Sequence, residues 1–293
     1  MSRKKTQSTA SPKQEDERDN AIDAQRWTES GRRAPRIVAH LSDLHFGADD
    51  AAIVSELADD VSRLSPHVVV VSGDVTQRAS RRQFISAGAF LDRLPVKPII
   101  VPGNHDIAPL HRPIERALRP LEAFARHLGH LDSIHSDEAM LIVGLDTTAP
   151  FRWKEGRIGR SEEKRIRAMI AEMEGDLGRD GDERIRIAFM HHPNAVDHDG
   201  IRKIDGLGID VILAGHAHTP ETRIVSTGNG TTILSRTGTG CSRRRRGQPN
   251  AYGVLFVEKN SLSVETRAWT GRRFETTGKS RYLRCVTGWR PHL

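Results

Sequence analysis

Residues 36–47 read Arg36-Ile37-Val38-Ala39-His40-Leu41-Ser42-Asp43-Leu44-His45-Phe46-Gly47, and their reading decides the fold. An apolar, β-prone run breaks abruptly into an Asp and a His two positions apart, with a Gly close behind. Side chains at i and i+2 of a strand share a side. One carboxylate and one imidazole therefore project together from the strand's C-terminal end, where open α/β sheets place their ligands. A single Asp-x-His is weak evidence, better explained by a turn residue or a helix cap. Its weight comes from recurrence.

Outward from this stretch, short apolar runs alternate with helical patterns, which predicts a layered α/β fold. After strand 36–41 comes a helix over 51–64, with Ile53, Leu57, Val61 and Leu64 at three- and four-residue spacing. Strand 67–71 is a near-continuous β-branched run, of the kind buried on both faces, and leads into Ser72-Gly73-Asp74. Ser80 is placed to cap a helix reaching about Leu94, and strand 96–101 leads into Pro102-Gly103-Asn104-His105-Asp106. A helix over 113–128 and a strand over 139–145, ending at Asp146, come next. Ser161 opens a helix to about Glu174; strand 184–190 ends at His191-His192-Pro193 and strand 209–214 at Gly215-His216-Ala217-His218. Beyond 220 the rhythm changes to short strands near 222–226, 231–236, 251–258 and 261–269 without long helices between them. That change predicts antiparallel pairing in a second sheet packed on the first.

The bulk properties frame this pattern. With 37% hydrophobic and 28% charged residues, the 293-residue chain reads as a globular protein with polar extensions. Residues 1–34 have almost no apolar pattern and are expected as a disordered tail. A main domain is expected over 35–270. Residues 271–293, with Phe274, Tyr282, Leu283 and Trp289, are too apolar for a free tail and are expected as a C-terminal extension packed on the domain. No apolar run is long enough to span a bilayer and no apolar segment follows Met1-Ser2-Arg3-Lys4-Lys5, so a cytoplasmic location is expected. The two cysteines, Cys241 and Cys285, are too few for a disulfide framework and match no metal spacing. A net charge of +7 favours anionic partners such as phosphate esters, nucleic acid or anionic lipid, although arginine kept for solubility gives the same number.

Asp43, His45, Asp74, Asn104, His191, His216 and His218 all fall at or just beyond the ends of predicted strands, flanked by Gly or Pro. Carboxylates and neutral imidazoles suit borderline divalent metals, and Asn adds a carbonyl oxygen. Seven such groups exceed what one tetrahedral ion takes and suit two ions sharing a carboxylate. Two ions about 3.5–4 Å apart make a nucleophile from water and clamp both oxygens of an in-line displacement. Asp146 also ends a strand but is expected to be structural. His40, His67, His111, His127, His130 and His135 read as surface or packing residues, and His198 lies in a loop near His191.

The order Asp43-x-His45, Gly73-Asp74, Gly103-Asn104-His105-Asp106, His191-His192-Pro193 and Gly215-His216-x-His218 resembles the calcineurin-like metallophosphoesterases. The resemblance covers about residues 36–260. The lead-in Leu41-Ser42-Asp43-Leu44-His45-Phe46-Gly47 also looks like the class III cyclic-nucleotide phosphodiesterase branch, a more local similarity. The resemblance implies a four-layer sandwich of two mixed β-sheets flanked by helices. It implies that Asp43, His45 and His218 hold one metal, that Asn104, His191 and His216 hold the other, and that Asp74 bridges them. His191 is preferred to His192 because the family places its ligand two residues before the Pro; His192 then orients elsewhere. His105 would face the substrate and stabilise or protonate the leaving oxygen, with Asp106 orienting it or capping the next turn. The metals would be manganese, iron or zinc.

The expected activity is that of a dinuclear metal-dependent phosphodiesterase acting through a hydroxide held between the ions, on a nucleotide or lipid-headgroup ester. The alternatives are a phosphomonoesterase, and a nuclease or nucleic-acid-binding protein using the basic tail and an arginine loop. The protein-phosphatase branch extends its second motif to Gly-Asp-x-x-x-Arg-Gly, whereas here Ala79 replaces the last Gly. The loop Ser242-Arg243-Arg244-Arg245-Arg246-Gly247 is a dense guanidinium cluster, and Arg243 and Arg244 are the candidates for binding substrate phosphate.

Overall fold

The computed structural model describes residues 34–129, 133–152, 155–175, 182–196, 204, 206–228 and 230–292. The expected tail (except Ala34), His130 and His198 lie outside the described residues.

Strands form where β-branched residues run without interruption. Strands β1 (Arg36–Leu41), β2 (Val68–Ser72) and β3 (Ile99–Val101) pair in parallel, and all five residues of β2 are buried. The second half of the domain supplies β4 (Ile134–Ser136), β5 (Met140–Leu145), β6 (Ile185–Met190), β7 (Val211–Ala214), β8 (Glu221–Thr227) and β9 (Gly230–Arg236). The chain then returns with β10 (Ala251–Glu258), β11 (Ser261–Trp269), β12 (Phe274–Cys285) and β13 (Gly288–His292). Two mixed sheets result. The seven-stranded one has the order β13-β12-β11-β10-β1-β2-β3, and the six-stranded one β4-β5-β6-β7-β9-β8.

Alternation along the strands sorts side chains into layers. Val68 and Val70 of β2 join the core between the sheets, with Val101, Ile142, Ile187, Phe189 and Leu213. Val69 and Val71 turn the other way, under α1 (Ala51–Leu64), α2 (Arg81–Leu91) and the short α4 (Glu122–Leu128). Leu57, Val61, Phe84, Phe90 and Phe124 are the helical side of that layer. On the far side, Ile166 and Ile170 of α5 (Arg160–Glu174) cover Leu141, Val143, Ala188 and Ile212. Helix, sheet, sheet and helix make the four expected layers.

Local sequence explains the helix ends. Asp50 caps α1 by accepting from Ala52 N, and Ser80 with Gln83 forms a reciprocal capping box at α2. Four expectations need correction. The single helix over 113–128 is two, α3 (Pro113–Leu118) and α4, because Pro120 cannot continue a helix and disfavours the helical conformation at Arg119. Gly159, not Ser161, is the N-cap of α5. The strands after 220 do not make one antiparallel sheet: β9 runs parallel to β7, while β10 pairs with β1. Finally, residues 274–292 are not laid over the domain but extend the seven-stranded sheet as β12 and β13, with β13 at its edge.

Among the described residues no helix is long and apolar enough to cross a membrane.

Candidate metal centre

The loops leaving β1, β2, β3, β6 and β7 meet at one end of the sandwich, where three parallel strands from one sheet face two from the other. Their backbones zip together: Asp43 N donates to Gly73 O (3.0 Å), His45 N to Asp74 O (2.9 Å) and Gly215 N to His191 O (3.1 Å). A Cβ at Gly103 would run into Asp74 Oδ1, and one at Gly215 into Ser42 Oγ, so only glycine lets these loops approach.

The backbone here is strained. Asp43, His45, Asp74, His216 and His218 have φ between 49° and 65°, and they are five of the eight described non-glycine residues with positive φ. Each such conformer costs about 1–3 kcal/mol and persists only where its surroundings over-determine it.

Each carboxylate has one oxygen fixed by the scaffold and one left for the cluster. Asp43 Oδ2 accepts from Ser42 Oγ (2.7 Å) and His216 N (2.9 Å), and Asp74 Oδ1 accepts from His105 N (2.8 Å). Asp43 Oδ1 lies 3.0 Å from His218 Nε2, and Asp74 Oδ2 lies 3.2 Å from His191 Nε2 and 3.8 Å from His45 Nε2. The histidines are oriented from behind. His191 Nδ1–H donates to Ser72 O (2.8 Å) and His218 Nδ1–H to Arg244 O (2.7 Å). In the neutral rings this leaves both Nε2 atoms as acceptors. Both lone pairs then point at carboxylate oxygens, His218 Nε2 at Asp43 Oδ1 and His191 Nε2 at Asp74 Oδ2, while His45 Nε2 lies 3.3 Å from His218 Nε2 and His216 Nδ1 3.2 Å from His191 Nε2. Asn104 Oδ1 and Asp43 Oδ1 are buried without a hydrogen-bond donor. Buried acceptors without donors are costly unless a cation lies among them. The groups Asp43–His45–His218 and Asp43–Asp74–His191 each bring their ligand atoms within 4.8 Å of one another. The donor set fits metal ions.

Electrostatics agree. Burial lowers His45 and His216 to about 4, which keeps them unprotonated. Burial works the same way on His191, but the Asp74 carboxylate overrides it and raises this ring to about 9. Against the effect of burial, neighbouring histidines hold Asp43 and Asp74 well below the usual carboxylate range.

His105 stands at the edge of the cluster, its ring 4.9 Å from that of His45. Its Nδ1–H donates to Gln77 O (2.8 Å), and its Nε2 accepts from Arg244 Nη1 (3.0 Å). Arg244 Nη1 also lies 3.4 Å from Gln77 Oε1. Arg244 thus reaches the site, while the Arg243 side chain is exposed and its N–H holds the loop by donating to Ala48 O (2.8 Å).

Asp106 neither orients His105 nor caps the next turn. It accepts from the N–H groups of Val75, Thr76 and Gly103 and from Thr76 Oγ1, clamping the β2 and β3 loops together. His192 stays inside the cluster instead of turning away: its ring lies 4.7 Å from that of His191 and 4.8 Å from that of His216, with Nδ1 2.9 Å from Thr147 Oγ1. Gln77 and Thr147 carry no motif and were invisible in the sequence. Of the bland histidines, His40 is buried with Nε2 2.8 Å from Ser72 Oγ, and His67 Nδ1 accepts from Ile37 N.

Fold and site together define a metallophosphoesterase. The sequence model of the calcineurin-like phosphoesterases matches residues 37–220, and the chain belongs to that family of phosphoric ester hydrolases. Among solved structures it is similar to PhoD, with a TM-score of 0.64 at 8% identity over 89% of this chain and 72% of that one. It is also similar to the purple acid phosphatase PPD1 from yellow lupin (Lupinus luteus) seeds, with a TM-score of 0.60 at 13% identity. That match covers 84% of this chain and 53% of the lupin chain, so this chain spans about half the length of that relative. At these identities the likeness is one of fold. No curated protein sequence matches the chain.

Proposed function

We propose that the chain is a dinuclear metal-dependent phosphodiesterase. Asp43, His45 and His218 would hold one ion, Asn104, His191 and His216 the other, and Asp74 would serve both. Manganese, iron or zinc suits this mixed imidazole and oxygen set. When bound, such a pair supplies an activated water and charge neutralisation at phosphorus. The observation that carries the reading is the convergence of buried imidazole and carboxylate ligand atoms, with Asp43 Oδ1 and Asn104 Oδ1 left without donors.

The chain's own residues do the rest. Ser72 O and Arg244 O fix the tautomers of His191 and His218, so their Nε2 lone pairs point inward. His105 is positioned by Gln77 O to hydrogen-bond the departing ester oxygen through Nε2. Arg244, now donating to that same Nε2, is placed to move onto a phosphate oxygen when an ester enters. Arg244 supplies a side-chain cation within hydrogen-bond reach of His105, and one such charge suits the single charge of a diester.

Turnover of bis(4-nitrophenyl) phosphate and of 4-nitrophenyl phosphate with added manganese tests the reading. Preference for the diester is expected; preference for the monoester would make the protein a phosphatase instead.

A further inference from the structure

Helix α3 is inside out. Ile114 and Leu118, four residues apart on one face, are each 76% exposed, whereas Arg116 on the opposite face is 1% exposed. The Arg116 guanidinium donates to the carbonyl oxygens of Ala108 and Pro150. It thereby pins α3 to the segment leaving His105 and to the loop after β5. Leu110, one turn ahead of Ile114, is 69% exposed, and Phe151, next to Pro150, is 73% exposed. A stripe of apolar side chains on the segment that follows His105 is thus held outward by a buried arginine. Groups of exposed apolar side chains of this kind mark contact surfaces.

The charges around the stripe identify what it contacts. Arg112 and Arg119 stand at the two ends of α3 and Arg152 follows Phe151; all three are more than half exposed, each with one carboxylate within 4.0 Å (Glu115, Glu122 and Glu155). Across His105 lies the loop of Arg243, Arg245 and Arg246, all exposed and with no ion-pair partner among the described residues. A second copy of the chain would bring like charge against like. The segment 1–33 has only Met1, Ile22 and Trp27 as large apolar side chains and is poorly suited to cover the stripe. Nucleic acid would use the arginines but has no use for Leu110, Ile114 and Leu118. We propose that this face docks on an anionic phospholipid surface, with the stripe entering the headgroup boundary and the arginines meeting lipid phosphates. Docking is read without turnover, so it stands or falls apart from the phosphodiesterase reading.

The test is co-sedimentation of the full chain with vesicles of phosphatidylcholine alone and of phosphatidylcholine mixed with phosphatidylglycerol. Binding to the mixed vesicles only is expected, weakening as salt is raised. The double variant Ile114→Ser/Leu118→Ser should lose about tenfold or more of that binding while its thermal unfolding and its turnover of a soluble ester are unchanged. Phe151→Ser, on a separate loop, should weaken binding in the same direction. Three results would each overturn the proposal: no vesicle binding by the parent chain, full binding by these variants, or a dimer that the double variant dissociates. Tight oligonucleotide binding without vesicle binding would assign the face to nucleic acid.

Discussion

At the N-terminal ends of β6 and β7, Asp210 accepts from the N–H of Arg186 (2.9 Å), the indole N–H of Trp289 (2.9 Å) and the guanidinium of Arg284 (3.1 Å). Arg186 in turn pairs with Glu174 and Asp182, and Arg184 with Asp182. At the C-terminal ends of the same two strands, His191, His216 and His218 meet Asp43 and Asp74 on strained backbone, and Asp43 Oδ1 and Asn104 Oδ1 are left without donors. Both ends gather charge out of water. Only the first satisfies itself, and although a cavity of about 260 Å³ opens there, its arginines and aspartates are already matched to one another. The second is complete only with something the chain does not supply. Satisfied charge secures the fold, and unsatisfied charge on strained loops is where the chemistry resides.

Substitutions at the two ends should therefore fail in different ways. His105→Ala should lower turnover by about 10²–10⁴, the range for a positioned proton-transfer group, while metal content stays at the parent level. Loss of metal in this variant would move His105 into the ligand set. Asp210→Ala should cost about 3–5 kcal/mol in denaturant unfolding, because it strands Arg284 and two N–H groups. Its folded fraction should keep its metals and turnover; a matching loss of both would show that the two ends are not independent. Arg244→Ala should raise KM by about tenfold with a smaller change in kcat, as expected when a charge-assisted contact to substrate is removed. An unchanged KM for every active ester would take Arg244 out of the site.

The smallest effect is one of pH. Burial raises the Asp146 carboxyl, after β5, to about 6, while hydrogen bonds from Arg184 are the main cause holding Asp182, at the opposite end, below its ordinary value. A carboxyl raised in the folded state binds a proton on folding. Its contribution to stability therefore falls as pH rises from about 4 to about 6. Asp182 has the opposite sign: its contribution is present above the unfolded pKa and is lost as pH falls through the lowered one. The buried Asp106, also raised to about 6, contributes to the decline between pH 4 and 6 with the same sign as Asp146. Unfolding curves of Asp146→Asn should lose part of that decline, and those of Asp182→Asn should lose part of the acid-side decline. Parallel curves for parent and variants would contradict the contrast.

The convergence of the candidate ligands was legible because the loops that carry them interrupt apolar runs. Val71 to Asp74, and Met190 to His191, are changes of chemistry that a strand can make only at its end. Helix α1 was legible to the residue, since Ile53, Leu57 and Val61 form its one buried stripe. Strand β12 was not, because it lies toward the sheet edge and residues 275–281 are exposed or half-buried, leaving no period-two pattern to read. Which sheet β9 or β10 would join was not written locally either; the partners of each are set by long-range pairing. Gln77 was hidden for another reason: it holds His105 through a main-chain carbonyl, which any residue possesses. The inverted α3 was read as an ordinary helical segment because its spacing is that of a buried stripe, and only Arg116 turns it outward.

The central claim is that seven side chains on five loops hold two ions, and metal analysis of the purified, reconstituted chain tests it most directly. About two metals per chain are predicted for the parent, and at most one for Asp74→Asn, which keeps the shape of the shared ligand but not its charge. A parent chain that retains no metal, or an Asp74→Asn variant that retains both, would contradict the account.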